Sequence, residues 1–446
     1  MSKAQFFIIT VLRSAPLALL AAIGLVGCEW GDKDFKLKGL NEWAEAISKP
    51  NIDKLACHKP SFAVRPDSAV HSLRSRWFPI SVHAEPHIPW ASVQMALETL
   101  EGSYARWQHA GRPLPLPDAG RSGDSGFDLF LLQRLRTPCA QAHLDTIASE
   151  QPFDAGIVFA TVAVPDEPSE LAGCADSAFI QASLLSYEPA EAEPWRLATG
   201  TYLSWAQSGQ TDFAPEIFAQ LHESWRGWLE PPAYDRLGTA LLWHFLEHYK
   251  QTNVGDYTFA MWERSRQKSP HPTCLLESPH LWEVIASELR ASKDGFEQAM
   301  ASFAVARYFL SVEKGAHPAT VVASSALPTR LHFRQEGIET FGSAYARLDL
   351  DGPDKSKAVQ AWLTGEQGVL WSLLAVRLDV HGQEISHVTL PVRHDPKSFL
   401  RIEPTPATDS ILWVVTNLGR GVPGYNDSTA RDLRAATLTI DVPDEN

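Results

Sequence analysis

Residues 295–328 read GFEQAMASFAVARYFLSVEKGAHPATVVASSALP, and within this stretch the hydrophobic pattern changes from helical to extended. The part up to Val312 has the spacing of apolar residues that a helix buries on one face. After Pro318 the chain consists of short runs rich in Val, Leu and Thr, separated by Gly, Asp and Pro. We therefore expect a domain boundary near residues 318–328, with a mainly helical domain before it and a β-domain after it.

The chain before this boundary is predicted to be a run of helices that begins near Cys174. The segment Tyr234–Tyr249 has a dense apolar pattern and is expected to cross the middle of the domain. Another helix is predicted over Trp90–Trp107, and strands over Phe127–Leu132 and Gly156–Val164. The helices of the run are predicted at Asp176–Tyr187, Trp195–Ala206, Ala214–Trp228, Tyr234–Gln251, Asp256–Gln267, Leu281–Ser292 and Gly295–Val312.

The chain after the boundary is predicted to hold seven or eight short strands, a spacing typical of an antiparallel β-sandwich. The predicted fold class is therefore α+β and multidomain: a mainly helical domain with a small sheet, residues 61–318, and a C-terminal antiparallel β-sandwich, residues 325–446. The predicted strands include Ser343–Leu350, Val369–Val380, His387–Val392, Leu400–Ile402, Ile411–Thr416 and Ala435–Ile440.

The net charge of the chain argues against a nucleic-acid partner. The 446 residues include 53 acidic and 39 basic ones, for a formal net charge of −14, and the basic residues are scattered. A nucleic-acid surface needs a clustered basic face. The hydrophobic fraction of 44% is that of a globular protein.

The first 27 residues have the pattern of a secretory signal peptide. Lys3 gives a positive start, and apolar residues follow in two stretches that Arg13 divides. The second stretch, Ala15–Val26, is shorter than the roughly 20 residues that a membrane-spanning helix needs. We therefore interpret residues 1–27 as a cleaved signal peptide.

Residues 25–28, Leu-Val-Gly-Cys, resemble the lipobox of bacterial lipoproteins. The resemblance implies cleavage before Cys28, acylation of Cys28 by palmitate and other fatty acids, and a tether over residues 28–60. Several acyl chains hold a protein on a membrane durably, whereas one chain binds marginally. The expected location is the cell envelope, and because Glu29 is not the aspartate that marks inner-membrane retention, the outer membrane is favoured.

The remaining cysteines are expected to form disulfides. They are Cys57, Cys139, Cys174 and Cys274, an even number in an oxidising compartment, which predicts two disulfides in one of three connectivities. No Cys-x-x-Cys pair is present, so metal ligation by these thiols is disfavoured.

Three stretches, taken in order, resemble a family of secreted gluzincin-type zinc metalloproteases with a C-terminal β-sandwich. The first is a loop rich in Pro, Asp and Gly that runs into a strand, residues 116–131. The second combines residues 195–201 with the helix at 234–242, and the third is ILWVVTNLG at 411–419. The resemblance implies a metalloprotease-like α+β domain in front of the sandwich.

The positions that match the zinc motif of this family lack its chemistry. The family carries His-Glu-x-x-His and a later Glu, which hold zinc and activate a water molecule. Here Ser177 and Gln181 stand at the histidine positions, Ala178 at the catalytic glutamate and Thr199 at the third ligand. The resemblance therefore implies a degenerate, catalytically inactive scaffold without a cofactor, acting by binding a peptide or protein ligand at the envelope.

Two alternatives stay open. The first is an active zinc metallopeptidase that uses His244-x-x-Glu247-His248, an inverted zinc motif with Glu247 as base and Glu313 as a candidate distant ligand. The second is a purely structural envelope lipoprotein.

The loop before the strand at 127–132 offers a further carboxylate set. Asp118 and Asp128 could form the pair of a glycosidase, and together with Asp124 they could bind calcium. The spacing does not match an EF-hand, so a solvated turn is the favoured interpretation.

Overall fold

The computed structural model describes residues 57–443, except for 119, 122–124, 134–138, 149, 166, 210–216, 218–220, 228–237, 270–273, 277–278, 293–294, 314–319, 324–326, 351–356, 367, 393–398 and 420–432. The predicted signal peptide, Cys28 and the tether up to residue 56 lie outside these residues, as do residues 214–216, 218–220 and 228 of the predicted helix Ala214–Trp228. Residues Ala56–Asn446 form one compact unit. No described helix combines the length and apolar character that crossing a bilayer requires.

Within the described residues, the elements are interspersed strands and helices up to residue 313 and strands alone after it. They are β1 (Cys57–His58), β2 (His71–Arg74), β3 (Ile80–Ala84), α1 (Trp90–His109), β4 (Phe127–Leu132), β5 (Ala140–Ile147), β6 (Gly156–Ala163), α2 (Pro168–Tyr187), α3 (Glu193–Ser208), α4 (Gly238–Tyr249), α5 (Asp256–Ser265), β7 (Leu275–Leu276), α6 (Leu281–Ala291), α7 (Gly295–Glu313), β8 (Thr320–Ala323), β9 (Thr329–Ile338), β10 (Ser343–Asp349), β11 (Val359–Gly365), β12 (Trp371–Leu378), β13 (Glu384–Val392), β14 (Phe399–Ile402), β15 (Ser410–Asn417) and β16 (Arg434–Asp441).

The N-terminal part contains a five-stranded mixed sheet in the order β2-β3-β4-β6-β5. The three central strands are parallel and the two edge strands antiparallel to their neighbours. One face, with Val82, Leu129 and Ala160, is completely buried in the core that the helices complete. The apolar character of every second residue therefore decides which face the helices cover.

The opposite face of this sheet is polar and aromatic. Four rings cross it from β3 to β5: His83 stacks on Phe130 at 4.8 Å between centroids, Phe130 meets Phe159 edge-on at 5.6 Å, and His143 stacks on Phe159 at 5.0 Å. Coil residues 59–70 lie over this face, and the guanidinium of Arg65 is 5.5 Å from the centre of the Phe159 ring.

The C-terminal part is a sandwich of a five-stranded sheet, β13-β12-β15-β10-β8, and a four-stranded sheet, β14-β11-β16-β9. Strand β15 is buried at every residue, because the other sheet covers one of its faces and α7 covers the other. Tyr345 of β10 donates a hydrogen bond to the carbonyl oxygen of Ala304 in α7 at 2.8 Å. The continuous apolar run of β15 thus reflects burial on both faces.

The predicted fold class, mixed α+β with a C-terminal sandwich, is confirmed, and the helices at 90–109, 193–208 and 281–291 lie within two residues of their predicted ends. Eight strands of the described residues were not predicted: β1, β2, β3, β5, β7, β8, β9 and β11. In addition, β8 and β10 pair in parallel, whereas the sandwich was expected to be antiparallel throughout.

Candidate functional site

Strand β5 forms one edge of the N-terminal sheet and directs part of its backbone outward. Ala163 donates its N–H to the carbonyl of Cys139 at 2.9 Å, so residue 139 faces β6. Because the bonding direction alternates along an antiparallel strand, the N–H and C=O groups of Ala140, Ala142 and Leu144 point away from β6. Consistent with this geometry, the outward carbonyl of Leu144 accepts a bond from the N–H of Ala63 at 2.9 Å.

A cavity of about 510 Å³ lies along this outward edge. Its wall combines apolar side chains with a few polar ones, the composition of many ligand sites. It is lined by Pro60, Ser61, Ala63, Gln141, Ala142, His143, Leu144, Leu185, Pro189, Ala190, Glu191, Ala192, Glu193, Arg196, Leu275 and His280.

Buried carboxylates hold the loop between α2 and α3 that forms the far wall of this cavity. Glu191 accepts the backbone N–H of Leu281 at 2.7 Å and that of Ala192 at 3.0 Å, so it caps the N-terminus of α6. Burial raises the pKa of Glu191. Glu188, 2% exposed, accepts the backbone N–H groups of Ala190 and Gln267, both at 3.3 Å. These bonds attach the loop to two other segments of the chain.

Burial, and to a lesser extent the nearby Glu191, raise the pKa of Glu188 from its ordinary 4.5 to about 8. Between these values the folded chain keeps a proton that the unfolded chain releases, so the free energy of unfolding falls as the pH rises from about 4.5 to 8. The substitution Glu188→Gln removes this titration. We expect the variant to be more stable than the wild type by about 2–4 kcal/mol at pH 8 and nearly equal to it at pH 4.5.

Urea unfolding at several pH values measures this difference, and Glu98→Gln on the exposed face of α1 is the matched control. Parallel stability profiles of the wild type and Glu188→Gln across pH 4.5–8 would contradict the expectation.

The polar side chains of the cavity form a bonded set. Gln141 donates to the Glu193 carboxylate at 2.9 Å, and Arg196 donates to the carbonyl of Glu191. The ring of His143 lies 2.8 Å from the hydroxyl of Thr161. Burial lowers the pKa of His143 to about 4, so its ring is neutral near pH 7 and serves as a hydrogen-bonding group rather than a cation.

Two of the four positions that the resemblance aligns with a zinc motif, Ser177 and Gln181, lie together at the contact of α2 with α3. Gln181 donates to the hydroxyl of Ser177 at 3.1 Å and lies 3.5 Å from the carbonyl of Ala140 on β5. A Cβ at Gly200 would lie only 2.7 Å from the Cγ of Gln181 and 3.0 Å from the carbonyl oxygen of Ser177, so a glycine permits this close approach. Ser177 and Gln181 are 2% and 3% exposed, which closes this place to a substrate.

The other two positions, Ala178 and Thr199, are completely buried. The hydroxyl of Thr199 accepts bonds from the indole N–H groups of Trp243 at 2.9 Å and Trp262 at 3.3 Å. It also donates to the carbonyl of Trp195 at 2.7 Å. Thr199 therefore anchors α4 and α5, whereas Gly200 is the residue of α3 that faces Ser177 and Gln181.

The residues of the inverted motif lie on α4 and divide between two environments. The ring centroids of His244 and His248 are 4.4 Å apart, and Nδ1 of His248 is 2.8 Å from the carbonyl oxygen of His244. Glu247 is buried and accepts the N–H of Thr258 at 3.0 Å and its hydroxyl at 2.7 Å. The carboxylate of Glu247 thus caps the first turn of α5.

Among the described residues, no group of three or more His, Cys, Asp or Glu side chains is arranged to hold a metal ion. Glu313 lies at the exposed end of α7. Asp124, one of the residues considered for calcium, is outside the described part of the chain.

Asp118 and Asp128 lie close together, and the guanidinium of Arg65 lies between them and the carboxylate of Asp145. Nη1 of Arg65 is 2.9 Å from Asp118 and also contacts Asp128, and Nη2 is 3.0 Å from Asp145. Burial and the neighbouring Asp128 raise the pKa of Asp118, against a backbone bond from Gly120. Burial opposes the charge of Arg65, but the three carboxylates outweigh it and raise its pKa. An internal cation therefore occupies the centre of this cluster.

A disulfide, the type of crosslink predicted from the cysteines, is present in this region. Cys139, just before β5, is bonded to Cys174 of α2, 35 residues away in sequence. Cys274 is also disulfide-bonded, and the backbone of Cys57 lies in β1, which pairs with the strand immediately after Cys274. The Cys139–Cys174 disulfide attaches the edge strand to the helix that carries Ser177 and Gln181.

Sequence reasoning missed strand β5, which lines the cavity, and Arg65, which lies at the centre of the carboxylate cluster. The sequence AQAHLDTI at 140–147 alternates small or apolar residues with polar ones, which is the signal of a half-buried edge strand. That alternation could have revealed β5. Nothing in the local sequence indicates that Arg65 lies beside residues 118, 128 and 145.

A comparison with solved structures finds weak similarity over about a quarter of the chain, and two of the matched structures are described below. No family model and no curated protein matches. The Yersinia pseudotuberculosis-derived mitogen is 13% identical, with a TM-score of 0.17 over 27% of this chain and 91% of that one. CorA, described as a surface-associated copper-binding protein important in Methylomicrobium album BG8 copper acquisition, is 12% identical, with a TM-score of 0.18 over 28% of this chain and 98% of that one. Likenesses of this extent assign no function to this chain.

Proposed function

We propose that this chain is a lipid-anchored protein of the cell envelope that binds an extended peptide or protein segment in the cleft beside β5. The observation that carries the proposal is the outward backbone of Ala142, which faces a cavity of about 510 Å³. An extended peptide can add a strand to such an edge, with main-chain hydrogen bonds for affinity and side-chain pockets for selectivity.

The chemistry around the edge fits a polypeptide better than a small apolar ligand. Gln141, Glu193 and Arg196 supply both hydrogen-bond donors and acceptors within the same wall, while Leu185 and Leu275 supply apolar surface. A peptide presents the same mixture, alternating backbone polar groups with side chains. The disulfide from Cys139 and the loop held by Glu191 keep both walls in place before the ligand arrives, which lowers the cost of binding.

The proposed function is binding without peptide hydrolysis. The four positions that match the zinc motif are buried in helix packing, and a hydroxyl, an alanine and an amide there cannot activate water. The metalloprotease-like scaffold would thus supply the shape of a peptide cleft without its metal centre. Lipid attachment at Cys28 would hold this cleft at the outer membrane.

The test uses the purified full chain and fluorescein-labelled carboxymethylated casein, an unfolded polypeptide, in a polarisation assay. Ala142→Pro removes the outward N–H without touching a bond to β6, a change that edge strands tolerate. Ala142→Ser keeps the N–H and serves as the matched control. We expect Ala142→Pro to weaken binding about tenfold or more, and the serine variant to bind like the wild type. Absence of casein binding, or equal binding by the proline variant, would contradict the proposal.

The zinc-peptidase alternative is separated by a second measurement on the same protein. One zinc ion per chain, lost on His244→Ala together with cleavage of the labelled casein, would favour the alternative. We expect intact casein and no difference in zinc content between the wild type and His244→Ala, because Glu247 caps α5 and His248 bonds back to its own helix.

A further inference from the structure

The segment Lys59–Val70, named here the strap, crosses the polar face of the N-terminal sheet without regular secondary structure. It begins where the predicted tether ends, passes the edge of β5 and reaches the far end of β3. Three attachments hold it: the bond from Ala63 to Leu144, the ion pairs of Arg65, and the hydroxyl of Ser68 on the Glu85 carboxylate at 2.9 Å. The strap is therefore attached at the β5 edge, at the middle of the sheet and just beyond the end of β3.

The strap contributes no buried residue to the core. None of residues 59–70 is buried, and its two largest apolar side chains point outward, Phe62 at 51% exposed and Val64 at 92%. Segments that open at low free energy have few buried apolar contacts. The strap is thus held over the face by polar attachments rather than by apolar packing, and the ion pairs of Arg65 with the buried Asp118 and Asp128 are its central attachment.

The strap also occupies the edge that the proposed ligand needs. The N–H of Ala63 donates a hydrogen bond to the carbonyl of Leu144, which is the outward carbonyl next to that of Ala142. Pro60 and Ser61 form part of the cavity wall. An added peptide strand would use the same outward groups of β5. The strap and a long extended ligand therefore compete for one edge.

We infer that the strap is an autoinhibitory segment, latched by Arg65 on Asp145 and by Ser68 on Glu85, and that its release lengthens the β5 edge available to a peptide. The inference rests on the proposed function and specifies how the same cleft is regulated. A latched strap lowers the apparent affinity of the cleft for its ligand, because only the fraction of molecules with an open strap can bind along the longer edge.

Two substitutions loosen the strap without removing a buried charge from beneath it. Asp145→Asn weakens the contacts of Nε and Nη2 of Arg65, at 3.2 and 3.0 Å, at the accessible end of the cluster. Ser68→Ala removes the bond to Glu85, just after β3, and changes no contact with β5. Asp349→Asn breaks an exposed Arg–Asp pair of the sandwich and is the matched control.

The experiment measures hydrogen exchange in residues 59–70 and casein polarisation on the same purified full-length variants. We expect faster strap exchange, by about tenfold, and about threefold tighter casein binding for Asp145→Asn, with smaller changes in the same directions for Ser68→Ala. Asp349→Asn should change neither quantity.

Unchanged strap exchange in both variants would overturn the latch. Faster exchange with unchanged or weaker casein binding would overturn the inhibitory role while leaving the cleft as a binding site. Casein binding by none of the proteins, the wild type included, would overturn the proposed function and the regulatory role with it.

Discussion

Replacing Arg65 with glutamine should lower the free energy of unfolding by about 3–5 kcal/mol, because it leaves buried carboxylates without their cation. Asp118 and Asp128 are completely buried, and both contact the guanidinium of Arg65. Asp128 keeps a second partner, since Nε2 of His83 lies 2.8 Å from its other oxygen, but Asp118 loses its contact with the guanidinium. Urea unfolding of the purified full chain measures the loss.

The expected loss has a specific origin that a double substitution can test. Arg65→Gln combined with Asp128→Asn removes one carboxylate together with the guanidinium, so the pair should recover much of the stability that Arg65→Gln loses. Arg347→Gln, which breaks an exposed pair with Asp349, is the matched control and should cost less than about 1 kcal/mol. A loss of similar size in Arg65→Gln and Arg347→Gln would contradict the role assigned to the cluster.

Replacing Cys28 with serine should abolish membrane association altogether. The lipobox-like Leu-Val-Gly-Cys predicts that the Cys28 thiol is lipid-modified, and Cys28→Ser removes that thiol. Since each buried methylene adds roughly 0.8 kcal/mol, loss of all chains removes the whole attachment.

Fractionation of cells that express each variant, with metabolic labelling by palmitate, measures this outcome. Glu29→Asp is the control: it keeps Cys28, so it should stay labelled and membrane-bound, with a shift toward the inner membrane. Palmitate label on Cys28→Ser, or its absence from the wild type, would show that residues 25–28 are not a lipobox.

Sequence reasoning predicted the elements whose hydrophobic periodicity is strong within a short segment. The helix over Glu193–Ser208 and the strand Phe127–Leu132 carry clear periodicities, and they form where they were expected. Strand β5 was missed because Ala140, Ala142 and Gln141 have little strand propensity, and pairing with β6 stabilises them there.

The positions aligned with the zinc motif also separate what residue type alone predicts from what only the tertiary structure shows. Sequence reasoning could state that Ser177, Ala178 and Gln181 lack the chemistry of a zinc site, because that depends on residue type alone. It could not state that Gly200, rather than Thr199, would face them, since one step along a helix turns a side chain by about 100°. It also could not separate Glu247 as a helix cap from Glu247 as a catalytic base, because both uses need the same carboxylate.

The sequence by itself determined the fold class, the change from helix to sandwich near residue 318, and the prediction of an anchor at Cys28. Each depends on patterns within a few tens of residues, where local periodicity and residue type suffice. Only the tertiary structure decided that Arg65 would meet residues 118, 128 and 145, and that the edge of β5 would face a cavity. The physical reason is that strand order and register, which place distant residues side by side, result from burial of the whole sheet rather than from any one segment.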